Sequence, residues 1–176
     1  DFRESGKPVY AFGPGYTQAE YFLAAHADRI ILNKDAFQTF GGVFLTGLGI
    51  YPTYYKSALD KLKVDIRVFS AGDYKDAVEP YLNDGMSDLS RESNSAWLQS
   101  LWQAYSSAVT EQRNLGENAL QTYIDSYSSL LGETENDPAR LALEHGLVDD
   151  LLSEGEWLTL MQNTIGQSGR SYRKIN

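Results

Sequence analysis

Apolar positions in the first half of this chain come in short runs punctuated by glycine and proline, whereas in the second half they recur at helical spacing. Pro8 to Phe12 (PVYAF) is nearly continuous apolar sequence closed by Gly13-Pro14-Gly15, which predicts a buried parallel strand. Thr17-Gln-Ala-Glu20 is a capping box and predicts a helix from there to about Ala27. Arg29 to Leu32 reads as the next strand. Gly41, Gly42, Gly47 and Gly49 surround Val43, Phe44 and Leu45, a pattern consistent with a strand between tight turns. Tyr54, Tyr55, Ala58, Leu59 and Leu62 repeat at helical spacing. Val64, Ile66 and Val68 then alternate with Asp65 and Arg67, and Phe69 follows, predicting a half-buried strand. After Gly72, Asp73 can cap a helical turn beginning at Tyr74, and Pro80, by disfavouring helix at Glu79, keeps that turn short.

The second half reads as helix. Trp97, Leu98, Leu101, Trp102, Tyr105 and Val109 form one stripe, opened at Ser87; Leu120, Tyr123, Ile124, Tyr127 and Leu131 form another. Asp137-Pro138 is an N-cap with proline at the first helical position, and Gly146 ends that helix. Trp157, Leu158, Leu160 and Met161 predict a last amphipathic helix. No internal repeat and no linker interrupts the pattern, so residues 1–176 are expected to form a single domain. Strands alternating with helices, followed by helices, imply an α/β fold with a mainly parallel sheet and a helical C-terminal part.

Composition narrows the function. The 176 residues hold 15 basic and 24 acidic side chains, a net charge of −9, with basic residues grouped only at Arg170 to Lys174. Phosphate neutralisation needs clustered Lys and Arg, so nucleic-acid binding is excluded. With 42% apolar residues the chain can bury a core. Without cysteine it has no disulfide, no thiolate metal site and no thiol nucleophile. No apolar run approaches the ~20 residues of a membrane-spanning helix, and the chain reads as soluble. Phe2 to Ser5 with Gly6 and Pro8 resembles the last turn of a helix, from which we expect a fragment whose membrane tether lies upstream.

Few residues offer chemistry. His26 lies on an alanine-rich helix and His145 precedes a helix-ending glycine, so both read as structural, and two histidines make no zinc spacing. Ser171-Tyr-Arg-Lys174 matches S-x-x-K formally but lies in a polar tail with no helix pattern after it. Gly13-Pro-Gly15-Tyr-Thr-Gln18, with Asp35 further on, imitates a dinucleotide fingerprint; Gln18 replaces its third glycine and Pro14 removes an N–H. No cofactor or metal is expected. Lys75 is the exception in position, at the mouth of a strand-to-helix junction where free backbone N–H groups mildly disfavour a cation.

Four segments carry a family resemblance: SGKPVYAFG at Ser5 to Gly13, YYKSALDKLKV at Tyr54 to Val64, G-x-Y-K-x-A-V-E-P at Gly72 to Pro80, and A-x-x-x-GLVD at Ala142 to Asp149. In this order they resemble the N-terminal half of the long bacterial members of the signal peptide peptidase A, or protease IV, family, peptidases of the ClpP/crotonase fold. The resemblance implies a sheet built from β-β-α units and makes Lys75 the general base of a Ser/Lys dyad. A lysine ordinarily titrates near ~10.4; reaching ~7–8 demands roughly 4 kcal/mol of destabilised ammonium, which desolvation can supply. Tyr74, Ala77, Val78 and Tyr81 could form an apolar collar, while Asp73, Asp76 and Glu79 are expected to face solvent or cap backbone.

The family's nucleophile lies in an A-S-G-G-Y-type motif after the first of these strands. Aligned on Tyr21, its place falls to Gln18, and Thr17 reads as the helix cap. In the long members the two homologous halves split the dyad, so the serine and the oxyanion hole are expected outside this chain, and the chain alone should cleave nothing. The resemblance further implies signal-peptide remnants as substrates. It also implies assembly with the second half and with neighbouring protomers, and a parent on the periplasmic side of the bacterial inner membrane. Two other readings are a non-catalytic scaffold half and a crotonase-type acyl-CoA enzyme with its thioester near Gly41 and Gly42.

Overall fold

The computed structural model describes residues 2–36, 41–68 and 76–173. The chain forms two compact units, Asp1–Gly47 with Tyr105–Asn176 and, separately, Leu48–Ala104. In the first unit the chain runs β1 (Tyr10–Gly13), β2 (Tyr16–Thr17), α1 (Gln18–Ala24), β3 (Arg29–Asn33) and β4 (Val43–Phe44). Strand β1 pairs with β3 and β2 with β4, each in parallel, Tyr10 facing Arg29 and Tyr16 facing Val43. With α2 (Lys56–Lys61) following β4, this is the β-β-α repeat twice over. Strand β5 (Asp150–Leu152) joins the other edge of β3, also in parallel, so β3 is central and its Ile30, Ile31 and Leu32 are fully buried.

Local chemistry sets the helix ends. Thr17 caps α1 through the expected box: its Oγ1 accepts from the Glu20 N–H at 3.4 Å and Glu20 accepts from the Thr17 N–H at 2.8 Å. The helix stops at Ala24, short of Ala27, because Asp28 turns the chain into the sheet: its N–H reaches the Val9 carbonyl and its carboxylate takes the Val9 N–H at 2.6 Å. Asp137 caps α7 (Pro138–Glu144), and Gly146, at φ +69°, closes it with N–H bonds from Gly146 to Leu143 and from Leu147 to Ala142. The second predicted stripe is divided into α5 (Ala119–Asp125) and α6 (Tyr127–Glu133) at Ser126, a poor helix former with φ −104° and ψ 6°. Helix α8 (Glu154–Ile165) begins at a second capping box, Ser153 with Glu156, and lays Trp157 flat on Phe12 of β1 at 4.7 Å. The short hairpin β6 (Gln167–Ser168) and β7 (Ser171–Tyr172) ends the chain, where no strand was expected.

The second unit holds α2, α3 (Glu79–Leu82) and the first part of α4 (Asp88–Arg113), which continues into the first unit from Tyr105. Two expectations need correction here. Val64–Val68 makes no strand ladder among the described residues, and Val64 and Ile66 are exposed. Val64 instead ends α2: Lys63 turns to φ +57°, and the Lys63 and Val64 N–H groups bond to Asp60 and Leu59. Alternation alone does not make a strand without a neighbouring edge to pair with. Pro80 also does not end the turn after Lys75; it sits in the first turn of α3, where its missing N–H costs nothing, after a 3₁₀ turn at Asp76–Val78.

Buried tyrosines lock the first unit by donating to backbone carbonyls that secondary structure leaves open. The Tyr21 hydroxyl reaches Leu147 at 2.6 Å, Tyr16 reaches Ile31 and Tyr123 reaches Val43, each at 3.1 Å. Burial pushes all three phenols well above their ordinary range, so they stay neutral donors. Arg113, at the end of α4 and 9% exposed, pairs with Asp149, 33% exposed, at 2.7 and 3.1 Å and also donates to the Gly146 carbonyl. Asp149 accepts the Ile30 N–H at 2.7 Å and returns its own N–H to the Ile30 carbonyl. Burial alone would raise the Asp149 carboxyl, but Arg113 and the Ile30 N–H outweigh it and hold it below the usual aspartate range. A depressed carboxyl stabilises fully above its ordinary value of 3.8 and loses that contribution as pH falls through its folded value. Arg113→Met should therefore cost about 2–3 kcal/mol near neutrality, less than a fully buried pair because Asp149 is partly wet. In denaturation measured against pH, that difference should shrink below about pH 4; a cost independent of pH would contradict the assignment.

Candidate active site

The N-terminus of α1 is where the resemblance puts a nucleophile, and its polar side chains are engaged. The Thr17 hydroxyl bonds to Glu20. The Gln18 amide oxygen accepts from the N–H groups of Thr46 at 3.0 Å and Gly47 at 2.9 Å, and its nitrogen donates to the Gly47 carbonyl at 3.1 Å. From α4, the Tyr105 hydroxyl donates to the Gln18 carbonyl at 2.9 Å, and burial raises that phenol to about 12. Gln18 is thus a clamp. A primary amide presents the same donor and acceptor as a peptide group, which is why it can close the turn after β4 on both sides.

Lys75, with its neighbours Asp73 and Tyr74, lies outside the described residues. Of the run that follows, Glu79 is held by hydrogen bonds. Glu79 is half-buried and accepts from the Ser87 hydroxyl and, at 3.2 Å, from the Ser87 N–H. It therefore caps backbone, as expected of this carboxylate. The remaining collar is open: Ala77 is exposed, Val78 half-buried and Tyr81 45% exposed, its ring stacked on Tyr55 at 5.9 Å. Among the described residues of 48–104 only Ser90 is fully buried.

Other candidates fall into structural roles. The His26 ring bonds to the Phe22 carbonyl at 2.7 Å, and the His145 ring meets Tyr123 edge-on. Ser171 is part of the β6–β7 hairpin, and Lys174 lies outside the described residues. A Cβ at Gly42 would stand 2.8 Å from that of Pro138, so the approach of α7 by itself requires this glycine. The fingerprint turn at Gly13–Gly15 ends on Gln18, whose amide is already engaged. A cleft of about 620 Å³ is lined by Lys7, Asp28, Glu111 and Arg113, of which Asp28 and Arg113 are taken by Val9 and Asp149.

The model of peptidase family S49 matches residues 1–163. The chain belongs to this family. It is also 40% identical over 182 aligned positions to a Protease 4 of Salmonella typhi, covering all of this chain and 28% of that protein. To a Protease 4 of Haemophilus influenzae it is 35% identical over 152 positions, covering 86% of this chain and 24% of that protein. The chain thus spans about a quarter of the length of these relatives. Membership accounts for the fold, since the S49 peptidases have the ClpP-like architecture.

Within the S49 frame, one of the four matching segments proves architectural: GLVD supplies the Leu147 carbonyl for Tyr21 and the Asp149 carboxylate for Arg113. The sequence singles out Gln18 but gives no sign of its clamp, whose partners lie 28 and 29 residues away. Nor does it signal the bond from Ser87 to Glu79. Gln18→Ala leaves the part-buried N–H and carbonyl of Gly47 and the exposed Thr46 N–H without this partner and should lower stability by about 1–3 kcal/mol, read from the denaturation midpoint. An unchanged midpoint would show that the clamp is ornamental.

Proposed function

We propose that this chain is the base-bearing part of an S49 serine peptidase, with Lys75 as the general base and the nucleophile contributed by polypeptide outside it. One observation carries the reading: in a chain of this family that keeps the G-x-Y-K-x-A-V-E-P run, the position aligned with the nucleophile is a glutamine whose amide is spent on Thr46 and Gly47. In the proposed reaction a serine hydroxyl attacks a peptide carbonyl while the neutral Lys75 amine takes its proton. The ammonium then protonates the leaving amine, and water releases the acyl group by the same route. Donors for the oxyanion would come with the serine.

The desolvation that a neutral lysine needs would come with assembly. Tyr51 is 93% exposed, Leu62 73%, Leu101 52% and Trp97 44%, more apolar surface than residues 48–104 can leave in water at ease. We take its cover to be the protein's second half and neighbouring protomers, which would also dry the lysine. The substrates we infer are cleaved signal peptides, handled on the periplasmic face of the bacterial inner membrane by a parent tethered through another segment. Among the described residues no helix is long and apolar enough to cross a membrane.

The same exposed surface favours a second reading, in which this part only scaffolds the assembly. Lys75→Ala and Lys75→Arg in the protein that carries this chain separate the two. Both should lower peptide turnover by roughly 10²–10⁴-fold, the arginine because a guanidinium does not give up its proton. Wild-type turnover in either would favour the scaffold.

A further inference from the structure

Asp84 and Gly85 form the one Asp-Gly pair in the chain, and the sequence holds no Asn-Gly pair. Such a pair rearranges when the glycine nitrogen attacks the side-chain carboxyl that precedes it. Attack needs a reachable carboxyl, a free N–H and no bulk on the residue that supplies it. The bend between α3 and α4 meets these needs on the glycine side. Asp84 and Gly85 are both exposed. The Gly85 N–H has no hydrogen-bond partner among the described residues. A Cβ on Gly85 would meet nothing within 4 Å, so packing neither covers this glycine nor requires it.

The carboxyl is the guarded partner. Helix α2 follows Tyr55 and has no side-chain cap from that residue. Asp84 takes the role from 27 residues away: its Oδ1 accepts the Ser57 N–H at 2.9 Å and the Ser57 hydroxyl at 2.5 Å. The hydroxyl first, and then the N–H, hold the Asp84 carboxyl below the usual aspartate range. An ionised carboxyl resists attack, because it must gain a proton before its oxygen can leave as water. Two hydrogen bonds to one oxygen also restrict the rotation that would carry Cγ to the Gly85 nitrogen.

We propose that Asp84–Gly85 is a modification site that forms isoaspartate through a succinimide, and that Ser57 holds the reaction in check. The Gly85 nitrogen bonds to Asp84 Cγ and loses its proton, while the carboxyl oxygen departs as water. Water then adds back to the ring. Opening at the former backbone carbonyl leaves the chain running through Cγ, with no net change in mass. The free carboxylate now sits directly on Cα, one carbon short of its former reach, and α2 loses its cap.

The test holds the protein that carries this chain at neutral pH and physiological temperature. Trypsin releases residues 76–91, and fragmentation mass spectrometry scores isoaspartate at residue 84. Wild-type protein should form it slowly. Ser57→Ala should form it roughly threefold to tenfold faster, the scale of one net hydrogen bond to a charged acceptor at an exposed site. Ser57→Thr, which keeps the hydroxyl, should match the wild type, and Gly85→Ala should be slower than either. Wild-type protein unfolded in urea should react at least as fast as Ser57→Ala, since both bonds are then gone; this arm decides alone should the alanine variant not fold. Equal rates in wild type and Ser57→Ala, or a rate in urea no higher than in the native protein, would overturn the proposal. So would isoaspartate at other positions without residue 84, or a mass gain that traces the change to deamidation of Asn83.

Discussion

The pairing of Arg113 with Asp149 brings together parts of the first unit that nothing in the chain order would hold in place. Asp149 takes the Ile30 N–H at the edge of the central strand, while Arg113 carries the end of α4 to the same carboxylate and to the Gly146 carbonyl. Around this node the Gly146 turn offers the Leu147 carbonyl to Tyr21, which fixes α1. Once α1 is fixed, its first residue, Gln18, sits where its amide can close the turn after β4. The constraint is electrostatic at its origin and passes outwards as hydrogen bonds to backbone groups that would otherwise be buried unpaired.

That chain of dependence explains what was legible beforehand. Caps are local, so Thr17 with Glu20, Asp137 with Pro138, and Gly146 all appear in the sequence at the positions where the structure uses them. The β1 and β3 runs were legible because a buried parallel strand is apolar on both faces. Strand β5 was not, since three residues after a glycine turn leave no period to detect. Val64–Val68 misled because its alternation has the right form, while Val64 is spent on the end of α2. The single stripe from Leu120 to Leu131 hid the break at Ser126, because adjoining helices in near-register keep the same spacing.

The candidate site was legible only in part, for a related reason. Lys75 stood out through the run around it, and Gln18 through its alignment with a nucleophile. What these neighbourhoods do depends on partners distant in sequence: Gln18 acts through Thr46 and Gly47, and Glu79 acts through Ser87. In the proposed reading, an S49 chain that spends this helix terminus on a clamp presents a base and leaves the attack to other polypeptide. The apolar exposure of residues 48–104 belongs to the same account, because a base of this kind works only where water is excluded.

Covalent labelling addresses this division of labour most directly. The whole protein, treated with a fluorophosphonate that phosphonylates activated serines with loss of fluoride, would be digested and the modified residue identified by mass spectrometry. The account predicts one labelled serine beyond these 176 residues, with labelling lost in Lys75→Ala. A label on any hydroxyl of this chain, Thr17 and Ser171 included, would contradict it.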